Sequence, residues 1–239
     1  MHWGRLDYDE AHRRQRAARE ALIAGPGPEV VFTVEHPPVI TGGRRAREEE
    51  LLEPRASLEG RGVAVREIER GGDWTYHGPG QLVAYAIVDL RRRRLRVPCF
   101  VGGLQDAMAE VALEVLERSG VDVGRVTRVE RPDAPGAWLR VDDGAPMKVG
   151  AVGVHIHRSV PLHGLALNVA TDPWGFSWIV PCGLRGEITT SLERLVEGLG
   201  GDGPLPVLAE VAASLVARLP GAWAARAGGV TRSASCASG

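Results

Sequence analysis

Apolar and polar residues follow two different periods along the 239-residue chain, and each change of period marks a predicted element. Apolar residues three or four apart predict amphipathic helices, whereas alternation at every second residue predicts half-buried strands. The helical period covers residues 7–24, 101–119 and 205–227, with a break expected near Pro220 and a short helix beginning at Thr190. Strands are predicted for segments rich in aliphatic and β-branched residues: 29–35, 63–69, 82–90, 137–141, 147–156 and 162–169.

Helices and strands interleave along the chain, and a turn such as that at 142–144 also predicts a hairpin. This combination predicts an α/β (α+β) fold in which helices flank a mixed β-sheet. Because no repeat or linker-like segment divides the chain, residues 1–227 are predicted to form a single domain. Residues 228–239 are small and polar, and they are predicted to form a disordered tail.

Composition excludes several classes of protein. Apolar residues make up 44% of the chain, which is enough for a sizeable core, and the net charge of −1 gives no general attraction to nucleic acid or to an acidic membrane. The three cysteines lie far apart, which disfavours a disulfide framework or a structural zinc site. No apolar run is long enough to span a membrane, and the first residues do not resemble a signal peptide. We therefore expect a cytoplasmic protein.

One lysine and one cysteine suggest a reaction. Lys148 is the only lysine among 29 Lys and Arg residues. Lysine can be tuned to release its proton, whereas arginine stays charged. Cys182 follows Pro181 and precedes Gly183, in a predicted loop at 171–186 where backbone N–H groups could approach a reacting carbonyl. A tunable amine and a thiol are suited to thioester chemistry. The alternatives are a solvated strand lysine and a buried structural thiol.

A second predicted loop, 70–81, holds four glycines and His77, which indicates that its backbone approaches another part of the protein or a ligand closely. His155 and His157 share one face of a strand, but no third or fourth ligand is evident, so no metal site is predicted. No phosphate-binding loop or dinucleotide fingerprint occurs, and no cofactor is predicted. An acyl group would therefore have to arrive already activated, as in a thioester. The arginine-rich run 91–96 is interpreted as a solvated face, or as a contact for an acidic partner.

Several segments in order resemble the motifs of the lipoyl(octanoyl) transferase family, and the resemblance covers about residues 3–220. The matching segments are 35–41, 70–82, 148–154, 163–169, 181–183 and 190–192. The resemblance implies the fold of the catalytic domains of biotin and lipoate protein ligases. It also implies transfer of an octanoyl group from octanoyl-acyl carrier protein to a lysine of a lipoyl domain. The implied acceptors are the E2 subunits of 2-oxoacid dehydrogenases and the glycine cleavage H protein.

The resemblance also implies roles for individual residues. Cys182 would hold the acyl group as a thioester, and Lys148 would act on the thiol and then as acid and base. The implied substrate contacts are Arg70, Gly71, Gly72, Asp73, Trp74, Thr75, Tyr76, His77, Ala151, Val152, Gly153, Gly164, Leu165 and Ala166. His36 and His163 are two further histidines that could belong to the site. Leu82, Val152, Leu165 and Ala166 are candidate walls for the acyl chain.

The chain departs from the family pattern at Gly150, where alanine is expected. Two other functions are considered beside the transferase. An ATP-dependent lipoate or biotin protein ligase would need ATP and would leave the cysteine incidental. A non-catalytic module that carries lipoyl cargo would not turn over.

Overall fold

A computed structural model describes residues 1–25, 27–180 and 188–228. The strands, in chain order, are β1 (His2–Arg5), β2 (Val30–Glu35), β3 (Val39–Gly42), β4 (Ala64–Glu67), β5 (Trp74–His77), β6 (Gln81–Ile87), β7 (Val126–Val129), β8 (Gly136–Val141), β9 (Met147–His157), β10 (Val160–Asn168) and β11 (Ile188–Thr189). The helices are α1 (Tyr8–Ala24), α2 (Arg55–Gly60), α3 (Val97–Arg118), α4 (Leu192–Leu199) and α5 (Leu208–Ala227). Cys182 and the predicted tail beyond residue 228 lie outside the described residues.

Most strands belong to one mixed sheet, with the order β1-β2-β6-β10-β9-β8-β7 and β11 paired to β9. The β1–β2 and β11–β9 pairs are parallel, and the other pairs are antiparallel. A smaller sheet has the order β4-β3-β5. The predicted mixed sheet flanked by helices is therefore confirmed.

Helices cover both faces of the main sheet, which explains why β6 is buried along its whole length. Leu82, Ala84 and Ala86 point to one face, in a core cluster with α3, α4 and α5. Val83, Tyr85 and Ile87 point to the other face, in a cluster with α1. Leu82 therefore faces away from the α1 side, which bears on its predicted role as a wall for the acyl chain.

Local sequence explains the helix boundaries. The Asp7 carboxylate accepts hydrogen bonds from the backbone N–H groups of Asp9 and Glu10, and this cap starts α1 as predicted. Helix α3 begins at Val97, earlier than predicted, because Pro98 fits the first turn of a helix. Helix α5 runs through Pro220 without the expected break, and Pro220 lies on its exposed side.

The predicted loop at 70–81 is partly wrong, because it contains strand β5. This strand pairs with β3, which was also missed, with Val39 opposite His77. The aromatic residues Trp74 and Tyr76 are buried in a third core cluster with Trp178 and Ile179. This aromatic packing holds an extended strand between the glycines. Elements β1, α2, β7 and β11 were missed as well.

Two further expectations concern the surface. Arg91, Arg92, Arg93, Arg94 and Arg96 are exposed, as expected for a solvated face. Among the residues described, none of the helices is both long and apolar enough to cross a membrane.

Gly150 has a packing role that accounts for the missing alanine. It lies on β9, where a Cβ atom would be 2.5 Å from Met108 Sδ and 2.9 Å from the backbone oxygen of Ala166. Met108 on α3 is fully buried, so its thioether fills the space that an alanine methyl group would need.

We predict that Gly150→Ala lowers the free energy of unfolding by about 1–3 kcal/mol, because the added methyl group overpacks the core. Gly198 on α4 is a matched control, because a Cβ there meets nothing within 4 Å. Gly198→Ala should be neutral or stabilising by up to about 1 kcal/mol. Urea unfolding of both variants measures the difference, and equal stabilities would contradict this account.

Candidate active site

A cleft with an empty volume of about 700 Å³, counting space open to solvent, lies between the main sheet and the segment that leads into β5. Most of the predicted site residues line it: Arg70, Gly71, Gly72, Asp73, Trp74, Thr75, His77, Lys148, Ala151, Val152, Gly153, His163, Gly164, Leu165 and Ala166. The structure therefore brings together segments that are far apart in sequence, although their roles in binding remain a prediction.

Two of the predicted site residues, Tyr76 and His36, are not among the described residues that line the cleft. Tyr76 points instead toward Phe176 and Trp178, which it meets edge to face. His36 is fully buried behind the cleft. Cys182 lies outside the described residues. Leu82 was a candidate wall, but it faces the opposite side of the sheet, and its neighbour Val83 lines the cleft.

Close backbone approach forms one wall of the cleft. The N–H of Gly71 donates to the carbonyl of Val154 at 3.0 Å, which joins the loop to β9. Gly153 lies opposite Gly164 in the β9–β10 pair. A Cβ on Gly164 would be 2.0 Å from the carbonyl oxygen of Ala84, so no larger residue fits there. The prediction that the glycine-rich loop approaches another part of the protein is confirmed.

Arg70 supports this wall from inside. Its side chain is buried, and its guanidinium donates to the carbonyl of Gly71 at 3.0 Å and to Thr41 Oγ1 at 3.1 Å. A buried guanidinium needs such acceptors, and these bonds fix the loop to β3.

Lys148 is a buried residue of β9 rather than a solvated one, with 5% of its surface exposed. Its Nζ lies 5.3 Å from the ring centroid of Trp138, within range of a cation–π interaction. Its side chain passes over Gly136, where a Cβ would be 3.0 Å from Lys148 Cε. Lys148 also borders a second cavity of about 310 Å³, again counting space open to solvent, which Phe176 and Thr189 line as well.

A chain of hydrogen bonds connects His77 to the strand of Lys148. His77 Nδ1 lies 2.6 Å from Gln81 Oε1, so Nδ1 carries the proton and donates. The Gln81 amide donates to Asn168 Oδ1, and the Asn168 amide donates to the carbonyl of Thr190. The N–H of Thr190 donates to the carbonyl of Lys148 at 3.0 Å. This arrangement assigns the neutral His77 an unprotonated Nε2, which can accept a hydrogen bond.

A second pair of polar groups lies deeper. The Tyr85 hydroxyl donates to His36 Nε2 at 2.7 Å, while His36 Nδ1 donates to the carbonyl of Leu6 at 2.7 Å. Tyr85 lines the cleft, so this hydrogen bond connects the buried His36 to the cleft. Burial raises the pKa of Tyr8 and Tyr85 and lowers the pKa of His36, which keeps all three neutral near pH 7.

Sequence reasoning missed part of the lining. The residues not predicted are Tyr8, Arg45, Val83, Tyr85, Asp133, Ala134 and Pro135. Residues 133–135 form the turn before β8, and the Trp138 indole donates to the carbonyl of Ala134 at 2.9 Å. The turn residues Pro132, Pro135 and Gly136 were a usable signal, because such clusters mark loops that carry binding residues.

His77 should make stability depend on pH. Burial lowers its pKa to about 3 in the folded protein, against an ordinary value of 6.5. Below pH 6.5 the unfolded chain binds a proton at His77 that the folded protein excludes. The contribution of His77 to the free energy of unfolding is therefore fully present above pH 6.5 and is lost as the pH falls toward 3. The slope from this one group is about 1.4 kcal/mol per pH unit.

We therefore predict that His77→Gln flattens the fall in unfolding free energy between pH 6 and pH 4 relative to the parent protein. His2→Gln is the matched control, because His2 is exposed. Urea unfolding at several pH values measures the slopes. Parallel curves for His77→Gln and the parent would contradict the neutral buried state.

Comparisons with known proteins agree on the nature of this chain. A family model described as "Lipoyl protein ligase A/B catalytic domain" matches residues 7–216. The octanoyltransferase of Desulfotalea psychrophila is 46% identical over 192 residues, covering 80% of this chain and 81% of that protein. The octanoyltransferase of Chloroflexus aggregans is 39% identical over 219 residues, covering 91% of both chains.

Solved structures share the fold. Lipoate-protein ligase A bound with ATP aligns with a TM-score of 0.60 at 14% identity, covering 91% of this chain and 82% of that one. A bi-partite lipoate protein ligase from Thermoplasma acidophilum aligns with a TM-score of 0.54 at 14% identity, covering 92% and 82%. Together with the sequence matches over most of the chain, these alignments lead to one conclusion: this protein belongs to the lipoyl protein ligase A/B catalytic domain family.

Proposed function

We propose that the protein is an octanoyltransferase that moves an octanoyl group from octanoyl-acyl carrier protein to a specific lysine of a lipoyl domain. The single observation that carries the proposal is the position of Lys148. Buried on β9, it lines a cleft assembled from the motifs that define the resemblance. The relatives named octanoyltransferase cover the same part of the chain. The proposed acceptors are the lipoyl domains of E2 subunits and the H protein, and the proposed location is the cytoplasm.

The chemistry needs two acyl transfers. In the first, the Cys182 thiolate attacks the carbonyl carbon of the carrier thioester. The bond from carbon to the carrier sulfur breaks, and the Lys148 ammonium gives a proton to the leaving thiolate. The product is an octanoyl thioester on Cys182 and a free carrier thiol.

In the second transfer, Lys148 Nζ takes a proton from the acceptor ammonium, because only a neutral amine attacks a carbonyl. The amine then displaces the Cys182 thiolate and forms an amide. As the amide forms, the amine loses a second proton, which passes to the departing Cys182 thiolate because Lys148 already holds the first. Release of that proton to solvent restores the Cys182 thiolate beside the Lys148 ammonium, so charge and atoms balance. A thioester is more reactive than an amide, so the transfer needs no ATP.

The described chain supports placing Cys182 beside Lys148. The N–H of Val180 donates to the carbonyl of Glu50 at 2.8 Å, which fixes the chain two residues before Cys182. On the other side, Thr189 is the partner of Lys148 in the β11–β9 pair. Phe176 and Thr189 line one cavity together with Lys148. Described residues on both sides of 181–187, Phe176 and Thr189, therefore reach the cavity that Lys148 borders, which supports the proposed pairing of Cys182 with this lysine.

The cleft offers an apolar surface for the acyl chain. Val83, Val152, Leu165 and Ala166 line it, and their apolar atoms would bury methylene groups worth about 0.8 kcal/mol each. His77 Nε2 is an acceptor at the same cleft and is suited to the N–H of an attacking amine. The glycine backbones at 71–72 and 153 let the chain lie close to these walls.

We predict that incubation with octanoyl-acyl carrier protein adds one octanoyl group to the protein and none to Cys182→Ala. Intact-mass spectrometry measures the adduct, and hydroxylamine should remove it as expected for a thioester. Cys236→Ala is the control variant and should retain the adduct. An equal adduct on Cys182→Ala would refute the intermediate. Activity with free octanoate and ATP, but none with the carrier thioester, would identify an ATP-dependent ligase.

We predict that Lys148→Arg folds but transfers octanoyl at least about a hundredfold more slowly, because arginine keeps the charge and cannot accept a proton. Single-turnover assays with a lipoyl-domain acceptor measure the transfer step. The melting temperature serves as the check on folding. Near-normal turnover by this variant would remove the acid–base role from Lys148.

A further inference from the structure

We propose that His12, Glu69 and His163 form a binding site for one zinc ion. His163 also lines the cleft, but no step of the proposed transfer uses any of these three residues. One ligand atom from each residue can be chosen so that all three lie within 4.8 Å of one another. Two histidines and a carboxylate are a common protein ligand set for zinc.

The separations between the ligand atoms suit a shared metal ion. His12 Nε2 lies 3.3 Å from Glu69 Oε1, and His163 Nε2 lies 3.6 Å from Glu69 Oε2. Ligands at zinc distances in a tetrahedral site are roughly 3.4 Å apart. The two imidazole rings stack with centroids 5.3 Å apart and an angle of 27° between their planes, so their Nε2 atoms face the same carboxylate.

His163 supplies a second, independent observation. Its side chain is 3% exposed, and its Nε2 is buried without a hydrogen-bond partner among the described residues. The 3.6 Å to Glu69 is too long for a hydrogen bond. A buried imidazole nitrogen usually has a partner, and a zinc ion between it and Glu69 would provide one.

The backbone of His163 indicates that its position is enforced. Its φ of +62° is unusual for a residue with a side chain, and its N–H donates to the Gln15 side chain at 3.0 Å. Gln15 and His12 share one face of α1, one turn apart, so the helix that holds the His163 backbone also presents His12.

The site is accessible on one side. The side chains of His12 and Glu69 are 19% and 27% exposed, which leaves an entry path and room for a water molecule as fourth ligand. The positive charges of Arg19 and Arg70 lie close to Glu69 and His163. These charges should weaken binding relative to an isolated site with the same ligands.

The ion would connect the two walls of the cleft. Glu69 directly precedes the Arg70-Gly71-Gly72 segment, and His163 directly precedes Gly164. His12 adds helix α1, so one ion would bind three elements that surround the cleft. Because zinc binds the folded site and not the unfolded chain, it should raise the melting temperature.

Zinc titration tests the proposal directly. The protein to be titrated is the full chain with the substitutions Cys182→Ala and Cys236→Ala, treated beforehand with a chelator. The two substitutions remove thiols that would compete for the ion. Isothermal titration with zinc chloride is expected to give one site, and a thermal shift should accompany it. X-ray absorption should show two imidazoles in a shell of nitrogen and oxygen.

His12→Ala and Glu69→Gln should each weaken zinc binding at least about tenfold and abolish the thermal shift. His2→Ala, an exposed histidine, is the matched control and should bind as the parent does. If one ligand variant fails to fold, the other variant still tests the proposed zinc site. No zinc binding, or binding unchanged in both ligand variants, overturns the proposal. Because these measurements do not involve acyl transfer, their outcome is independent of the proposed function.

Discussion

The site depends on the close approach of three backbone segments around the β9–β10 hairpin. Gly71 bonds to Val154, Gly153 lies opposite Gly164, and Gly164 leaves no room for a Cβ against Ala84. A Cβ at Gly153 would lie 3.2 Å from the carbonyl oxygen of Gly71, and the one at Gly164 would clash, whereas Gly71 itself has room for a Cβ. Gly153 and Gly164 are therefore the steric requirement of the site, and their cost in backbone entropy is offset by the hydrogen bonds and packing that the approach allows.

The same arrangement of segments holds Lys148 in a buried position, which is unfavourable for a lysine. Burying an ammonium group costs free energy unless other groups compensate. The indole face of Trp138 gives part of that compensation, and Trp138 is fixed because its N–H donates to Ala134. The turn at 133–136 consequently has two effects: it closes the cleft and it holds the indole over Lys148.

The sequence predicted much of the fold because local patterns and burial agreed. The helical period located α1, where the structure adds the Asp7 cap, and the aliphatic run at 82–90 predicted the strand β6. Strand β5 was missed because its neighbouring glycines suggested a loop, whereas aromatic packing against Trp178 decides its conformation. In the site, motifs predicted which segments meet. They did not predict Tyr8 or Asp133, which join the cleft through tertiary contacts. They also named Leu82 as a wall of the acyl site, whereas the next residue, Val83, faces the cleft, so the prediction chose the wrong face of the strand.

The hydrogen-bond chain from His77 to the Thr190 N–H suggests how two halves of the site keep a fixed geometry. Gln81 and Asn168 lie opposite each other on β6 and β10, so the chain runs across the sheet and ends at the Lys148 carbonyl. Thr190 follows β11 and precedes α4, so the same bonds fix the chain just after the segment that holds Cys182. Because the protonated Nδ1 of His77 is committed to Gln81, its Nε2 can only accept. A fixed acceptor and a buried lysine at one cleft would suit the proposed sequential attack of a thiolate and an amine on one carbonyl.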